Sequence, residues 1–314
     1  MTDSVPLIDA TTIERLTPMP ALIAALRAAF ANGGYESPPR YAKDMSTTSS
    51  LLIMPSWSEG ARLGVKIVNV DRVARPSVRS SYVLMDRATA RPLAILDGAT
   101  LTRRRTAAAS VLAATYLARP DSRTLLLLGT GAMIPALIEA YASAFPIEKI
   151  FIWGRDAAHA NAAVAQAQAK DFEAEAVTDI SAALAKVDIV SAATLSTLPL
   201  INGKHLRPGM HVDLIGAFRP EMCEADGVAF ARSRVFVDTY EGAMHEAGDL
   251  LQAIAGGHFN EEGITADLAS LCQERHRGRG RDRDAITLFK SVGAALEDLA
   301  AAEVVFERWN QNRA

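Results

Sequence analysis

The run Leu125-Leu126-Leu127-Leu128 passes directly into Gly129-Thr130-Gly131-Ala132-Met133 and then into an apolar, alanine-rich stretch. Four consecutive leucines without alternation call for burial on both faces, which suits a central parallel strand. The glycines call for a tight turn into a helix. From Arg119-Pro120-Asp121 onward the pattern repeats. Strand-like runs over Arg123 to Leu128, Lys149 to Trp153, Glu175 to Val177, Ile189 to Ala192, Met210 to Ile215 and Val235 to Val237 alternate with helical stretches, one ending near Phe145 and one over Ala157 to Ala169. This alternation predicts an α/β fold, a Rossmann-type, doubly wound parallel sheet.

The first hundred residues follow a different pattern. Thr17 is placed to cap a helix with apolar positions Leu22, Ile23, Leu26 and Phe30, closed by Asn32-Gly33-Gly34. Short apolar runs follow over Leu51 to Met54, Leu63 to Val68, Ser80 to Met85 and Pro92 to Leu96, separated by turns, then a helix over Thr102 to Leu117. They predict a smaller α+β domain with an antiparallel or mixed sheet. Ala285 to Trp309 reads as one long helix. The expected division is residues 1–118 completed by 286–314, with the Rossmann domain at 119–285.

Composition narrows the function classes. Nearly half of the 314 residues are apolar (49 %), which provides for two cores. With 33 basic and 36 acidic residues the net charge is -3, so no polyanion partner is expected from charge. The basic run Arg275 to Arg283 lacks aromatic residues for base stacking and reads as a solvated loop rather than a nucleic-acid site. Two cysteines, no signal-like start and no long uncharged apolar run predict a cytoplasmic protein without a membrane segment. The six histidines have no metal-ligand spacing, so no metal is expected.

Strand, glycine turn and helix in this order suit a dinucleotide. Gly129 permits the turn, Gly131 lets the backbone approach the pyrophosphate, and the helix N-terminus offers N–H groups to it. A turn without a ligand is the alternative, and Ile134 stands where a third glycine would be. The next strand ends in Trp153-Gly154-Arg155-Asp156. An arginine there suits the 2′-phosphate of NADPH, whereas an acid would suit the ribose of NADH. Arg155 favours NADPH, with NADH as the second choice; Asp156 is either a ribose ligand or the cap of the following helix.

Three cations stand out. Arg40 follows Pro38-Pro39, Lys66 lies within Leu63-Gly64-Val65-Lys66-Ile67-Val68, and Arg105 opens a helix before Thr106-Ala107-Ala108. A buried cation needs an anion, and a substrate carboxylate would supply it. Taken singly, each reads more readily as a surface-strand or solvated helix-start charge than as a ligand. Asp97 and Asp249, beside glycines, suit a turn role as well as catalysis.

Together the segments Pro39-Arg40, Gly64-Val65-Lys66, Leu101 to Ser110, Gly129-Thr130-Gly131-Ala132, Ser191-Ala192-Ala193-Thr194, Glu246 to Leu250 and Ile286 to Gly293 resemble the ornithine cyclodeaminase and mu-crystallin family, in family order over nearly the whole chain. The resemblance implies that Arg40, Lys66 and Arg105 bind a substrate carboxylate, with Lys66 and Arg105 at the catalytic centre. It implies that Gly129, Gly131, Ala132, Met133, Thr194 and Ser291 contact the cofactor and that Ser77 lies on the nicotinamide side. A homodimer formed through the substrate domains is implied as well. Met133 departs from the usual glutamine. Cyclodeaminases carry an aspartate base where Leu214-Ile215-Gly216-Ala217-Phe218 has Phe218, and phenylalanine moves no proton. The expectation is therefore NAD(P)H-dependent reduction of a cyclic imino acid, Δ1-pyrroline-2-carboxylate to L-proline and also Δ1-piperideine-2-carboxylate. Alternatives are ornithine cyclisation, an alanine-type dehydrogenase, or a mu-crystallin-like NADPH binder without turnover.

Overall fold

The computed structural model describes residues 4–59, 62–71, 73–74 and 78–312 and forms two compact units, 1–109 with 294–314 and 110–293. The first unit opens with β1 (Leu7–Ile8), α1 (Ala10–Leu16) and α2 (Met19–Asn32). Then come β2 (Tyr35–Glu36), β3 (Tyr41–Asp44), β4 (Ser49–Ser58), β5 (Arg62–Asp71), β6 (Val78–Asp86), β7 (Pro92–Asp97) and α3 (Gly98–Leu117). The strands form one mixed sheet in the order β1-β7-β6-β5-β4-β2, with β3 also on β4; only β1 and β7 run parallel. Along β5, Gly64, Lys66 and Val68 are buried while Ile67 and Asn69 are exposed, the period of two expected of a sheet with one covered face.

Thr17 does not cap α2. It closes α1, its hydroxyl donating to the Ile13 carbonyl at 2.7 Å and accepting from Arg104 Nε at 3.1 Å. The helix α2 starts instead behind Pro18, with Pro20 in its first turn, where a missing N–H costs nothing.

The second unit holds β8 (Thr124–Leu128), α4 (Ile134–Ala144), β9 (Lys149–Trp153), α5 (Ala157–Gln168), β10 (Glu173–Val177), α6 (Ile180–Leu184), β11 (Ile189–Ala192) and β12 (His211–Leu214). It continues through α7 (Gly227–Ala231), β13 (Arg234–Val237), α8 (Tyr240–Glu246), α9 (Gly248–Ala255), β14 (Ile264–Asp267), α10 (Leu268–Cys272) and β15 (Thr287–Lys290). All eight strands are parallel, in the order β10-β9-β8-β11-β12-β15-β13-β14. The order reverses between β8 and β11, and ligands of such sheets bind beyond the strand C-termini at that reversal.

Two expectations are corrected here. The stretch from Ala285 is not one helix: Thr287–Lys290 is β15, between β12 and β13, and the chain becomes helical only at α11 (Ala295–Gln311). All four residues of β15 are buried, and a short apolar run has no period that separates a buried strand from a helix. The units therefore divide after Ala109, inside α3, and after Gly293, rather than at 118 and 285. The second correction concerns the basic run. Arg279 is 5 % exposed and donates to the carbonyls of Leu117 (2.7 Å), Ala285 (2.5 Å) and Met210 (3.0 Å). Its guanidinium thus ties together carbonyls from three separate segments.

Among the described residues no helix is long and apolar enough to cross a membrane, and no group of His, Cys, Asp and Glu is placed to hold a metal.

Candidate active site

In the first unit, Lys66 and Arg105 share one buried cluster. β5 turns Lys66 to the face that α11 covers. Lys66 Nζ lies 2.7 Å from Asp298 Oδ2, Arg105 Nε 3.0 Å from Asp298 Oδ1, and Arg105 Nη1 2.5 Å from Glu297 Oε2. Lys66 and Arg105 are 3 % and 4 % exposed and both carboxylates are fully buried. Glu297 and Asp298 stand in the first turn of α11, where the helix dipole favours anions. The protein itself thus supplies the counter-ions that the cations need, and Asp298 and Glu297 are the site residues that sequence reasoning missed. An acid pair early in the last helix was the available signal.

The charges tune one another. Burial pushes the Lys66 ammonium down to about 8, with Arg105 and Arg40 adding to the fall and Asp298 opposing it. Burial also acts on Asp298, but Arg105 and Lys66 hold its carboxyl below the usual range. Arg40, half-buried, is thus within electrostatic reach of Lys66. Gly64 has a packing reason: a Cβ there would lie 1.8 Å from the Tyr82 hydroxyl. Ser77 lies outside the described residues.

In the second unit the turn after β8 has the form that a dinucleotide requires. Gly129 has φ +121°, and a Cβ on it would meet the Ala193 carbonyl at 2.8 Å, so the fold itself needs glycine there. Gly131 is different: a Cβ on it would meet nothing within 4 Å. Packing does not explain this glycine, whereas a ligand lying against the backbone would. Gly131 and Ala132 are exposed, Met133 is half-buried at the N-terminus of α4, and the N–H groups of all three lack a backbone acceptor among the described residues. The turn and helix end therefore fit a pyrophosphate.

Past the end of β9, Asp156 Oδ1 accepts from the N–H groups of Ala158 and His159, so it is the cap of α5, and Arg155 stands exposed beside it. Gly154 lets Thr130 approach, since a Cβ would lie 2.5 Å from its methyl. Thr194 follows β11 and gives both its N–H and its hydroxyl to Glu224 Oε1, at 2.6 and 2.8 Å. Ser291, 3 % exposed, donates its hydroxyl to Asp238 Oδ2 at 2.9 Å. Asp249, which the sequence left between turn and catalysis, is buried and paired with Lys290 at 2.8 Å. Phe218 packs against the core of the parallel sheet.

Comparison with known proteins finds relatives over most of the chain. The ornithine cyclodeaminase/mu-crystallin family profile matches residues 6–313. The chain is 38 % identical to the Δ1-pyrroline-2-carboxylate reductase of Paracoccus denitrificans over 263 residues, covering 82 % of this chain and 83 % of that one. It superposes on the Thermococcus litoralis Δ1-pyrroline-2-carboxylate reductase, solved with NADH and L-proline, with a TM-score of 0.94 at 30 % identity, covering 99 % of each chain. An archaeal alanine dehydrogenase dimer with bound NAD gives 0.90 at 27 % identity, covering 99 % of this chain and 97 % of that one. On the profile match and these alignments, the chain belongs to the ornithine cyclodeaminase/mu-crystallin family.

Proposed function

We propose that this protein is a nicotinamide-dependent reductase of cyclic imino acids, converting Δ1-pyrroline-2-carboxylate to L-proline and also accepting Δ1-piperideine-2-carboxylate. The observation that carries the reading is the buried cationic cluster. Lys66 and Arg105 lie together in the covered face of the first unit, held by Asp298 and Glu297, with Arg40 within electrostatic reach of Lys66. These are the kind of donors that grip a carboxylate. Phe218 supports reduction over cyclodeamination, because it offers no atom to deprotonate a substrate amine. The reductases of Paracoccus and Thermococcus support the substrate class.

Lys66 and Arg105 are the catalytic and substrate-binding residues in this reading, with Arg40 a further carboxylate ligand. Arginine grips a carboxylate through paired donors, and a ring fixed by its carboxylate presents its imine carbon in one orientation. The dinucleotide, when bound, supplies the hydride. Gly129, Gly131, Ala132 and Met133 hold its pyrophosphate, while Thr194, Ser291 and Ser77 serve the nicotinamide half. Ser291, whose hydroxyl hydrogen is engaged in its bond to Asp238, acts there as an acceptor. The first unit carries imino-acid binding and dimerisation, and the second the cofactor, in a cytoplasmic homodimer. The dimeric archaeal alanine dehydrogenase supports that assembly.

The test is spectrophotometric. NADPH oxidation is expected with five- and six-membered cyclic imino acids, and no ammonia from ornithine. Ammonia release, or tight cofactor binding without turnover of any imine, would overturn the reading.

NADPH is the favoured cofactor, with NADH also accepted, because Arg155 stands exposed at the strand end with Asp156 withdrawn into its cap. Arg155→Asp is expected to raise KM for NADPH, lower it for NADH and change kcat less. A wild-type ratio of the two efficiencies in the variant would withdraw the preference.

A further inference from the structure

The buried ionic groups that this reading leaves unused gather beyond the C-terminal ends of β11, β12 and β15. Glu224, fully buried in the segment between β12 and α7, accepts at Oε1 from the Thr194 N–H (2.6 Å) and hydroxyl (2.8 Å). At Oε2 it accepts from the Gly216 N–H at 2.8 Å. One carboxylate thereby joins the loop after β11 to the loop after β12. The two loops are in direct contact, since a Cβ on Gly216 would lie 2.1 Å from the Thr194 carbonyl oxygen and 2.4 Å from Glu224 Oε1.

Glu224 is itself held from behind. Asp249 Oδ1 accepts from the N–H groups of Glu224 and Ala225, and Asp249 Oδ2 meets Lys290 Nζ at 2.8 Å, with both side chains fully buried. Lys290 ends β15 and precedes Ser291. A neutral core would hold this region at lower cost than dehydrated charges. What a carboxylate adds is the capacity to accept from three donors on two separate loops.

The sheet order says which part of a dinucleotide those loops serve. β8, β9 and β10 lie on one side of the reversal, and β11, β12 and β15 on the other. Each half of such a sheet takes one nucleotide, so Arg155 after β9 belongs to the adenosine half and Thr194 and Gly216 to the nicotinamide half.

We propose that Glu224 is a positioning residue for the nicotinamide half of the cofactor, clamping the loops at Thr194 and Gly216 in the spacing that receives it. The proposal rests on the reading of this unit as dinucleotide-binding. Burial and Asp249 push the Glu224 carboxyl up to about 7 against the pull of Lys290, and the neighbouring Cys223 thiol, pushed up to about 12, stays neutral beside it. Protonation therefore removes an acceptor from the clamp in an accessible pH range.

The experiment uses the full chain and two probes, NADPH followed by fluorescence and 2′-phospho-ADP-ribose followed by calorimetry. Glu224→Gln places an amide N–H₂ against a donor N–H and is expected to weaken NADPH about tenfold or more, leaving the adenine-side fragment at its wild-type Kd. Glu224→Asp keeps the charge opposite Lys290 but shortens the reach, so it is expected to fail in the same direction. It also decides the matter if the glutamine variant does not fold. Wild-type NADPH affinity should weaken as pH falls through about 7, and the glutamine variant should lose that dependence. Unchanged NADPH affinity in the aspartate variant, or equal losses for both probes, overturns the proposal. Failure of the wild-type protein to bind either probe would instead overturn the dinucleotide reading beneath it.

Discussion

Lys66→Met is expected to lower kcat/KM for Δ1-pyrroline-2-carboxylate about ten- to a hundredfold while the Kd for NADPH stays unchanged, as one lost charge-assisted hydrogen bond implies. Methionine keeps the unbranched length, so the covered face of the sheet remains filled. Asp298 still has Arg105 Nε at 3.0 Å, so its charge is not stranded. Arg105→Ala is the less clean experiment, because it takes the guanidinium away from both Glu297 and Asp298 at once. The pH profile provides an independent check. With its pKa pushed down to about 8 by burial, Lys66 is charged below that pH and neutral above it. Wild-type kcat/KM should therefore fall above about pH 8, and the methionine variant should lack that limb. Stability moves the other way. Between about pH 8 and the ordinary lysine value the unfolded chain keeps a proton that folded Lys66 releases, so this group's contribution to stability rises with pH there. Full activity in the variant would make Lys66 a structural cation only.

How far the sequence was legible depended on whether the deciding interaction was local. Leu125 to Leu128 with Gly129 and Gly131 announced strand, turn and helix because burial on both faces and a glycine turn leave local marks. The strands β9 and β11 agree with their sequence bounds for the same reason. Thr287–Lys290 misled because its register lies between β12 and β13, whose partner residues are some 50 to 76 positions away, as with His211 and Thr287. Thr17 has a cap's chemistry, yet its partners are Ile13 and the distant Arg104. Arg279 was hidden among exposed arginines, and only the carbonyls around it distinguish it. The cluster shows the limit most clearly. That a cation within a strand needs an anion followed from Lys66 alone, but that Asp298 provides it did not, since Arg105 and Asp298 are 193 positions apart. Glu224 was invisible for a related reason: its donors at Thr194 and Gly216 are backbone and hydroxyl groups that any sequence offers.

Asp298→Ala should be the most damaging single change in the first unit. It removes a fully buried carboxylate and leaves Lys66 and Arg105 dehydrated, with Arg105 still paired to Glu297. Breaking a buried ion pair from one side costs about 3–5 kcal/mol, a large part of the ~5–15 kcal/mol that holds a typical domain together. A lower urea midpoint and a lower melting temperature are expected, together with loss of turnover. Asp298→Asn separates charge from shape: the amide can keep an acceptor towards Arg105 Nε but turns a donor towards Lys66 Nζ. Combining it with Lys66→Met removes the stranded cation and should recover much of the stability lost in the asparagine variant. Activity should not recover with it, because the substrate carboxylate still lacks Lys66. That split would separate the structural work of the ion pair from its role towards substrate. If Asp298→Asn alone were as stable and as active as the wild type, the acid would carry neither, and the buried cluster would lose its place as the proposed carboxylate site.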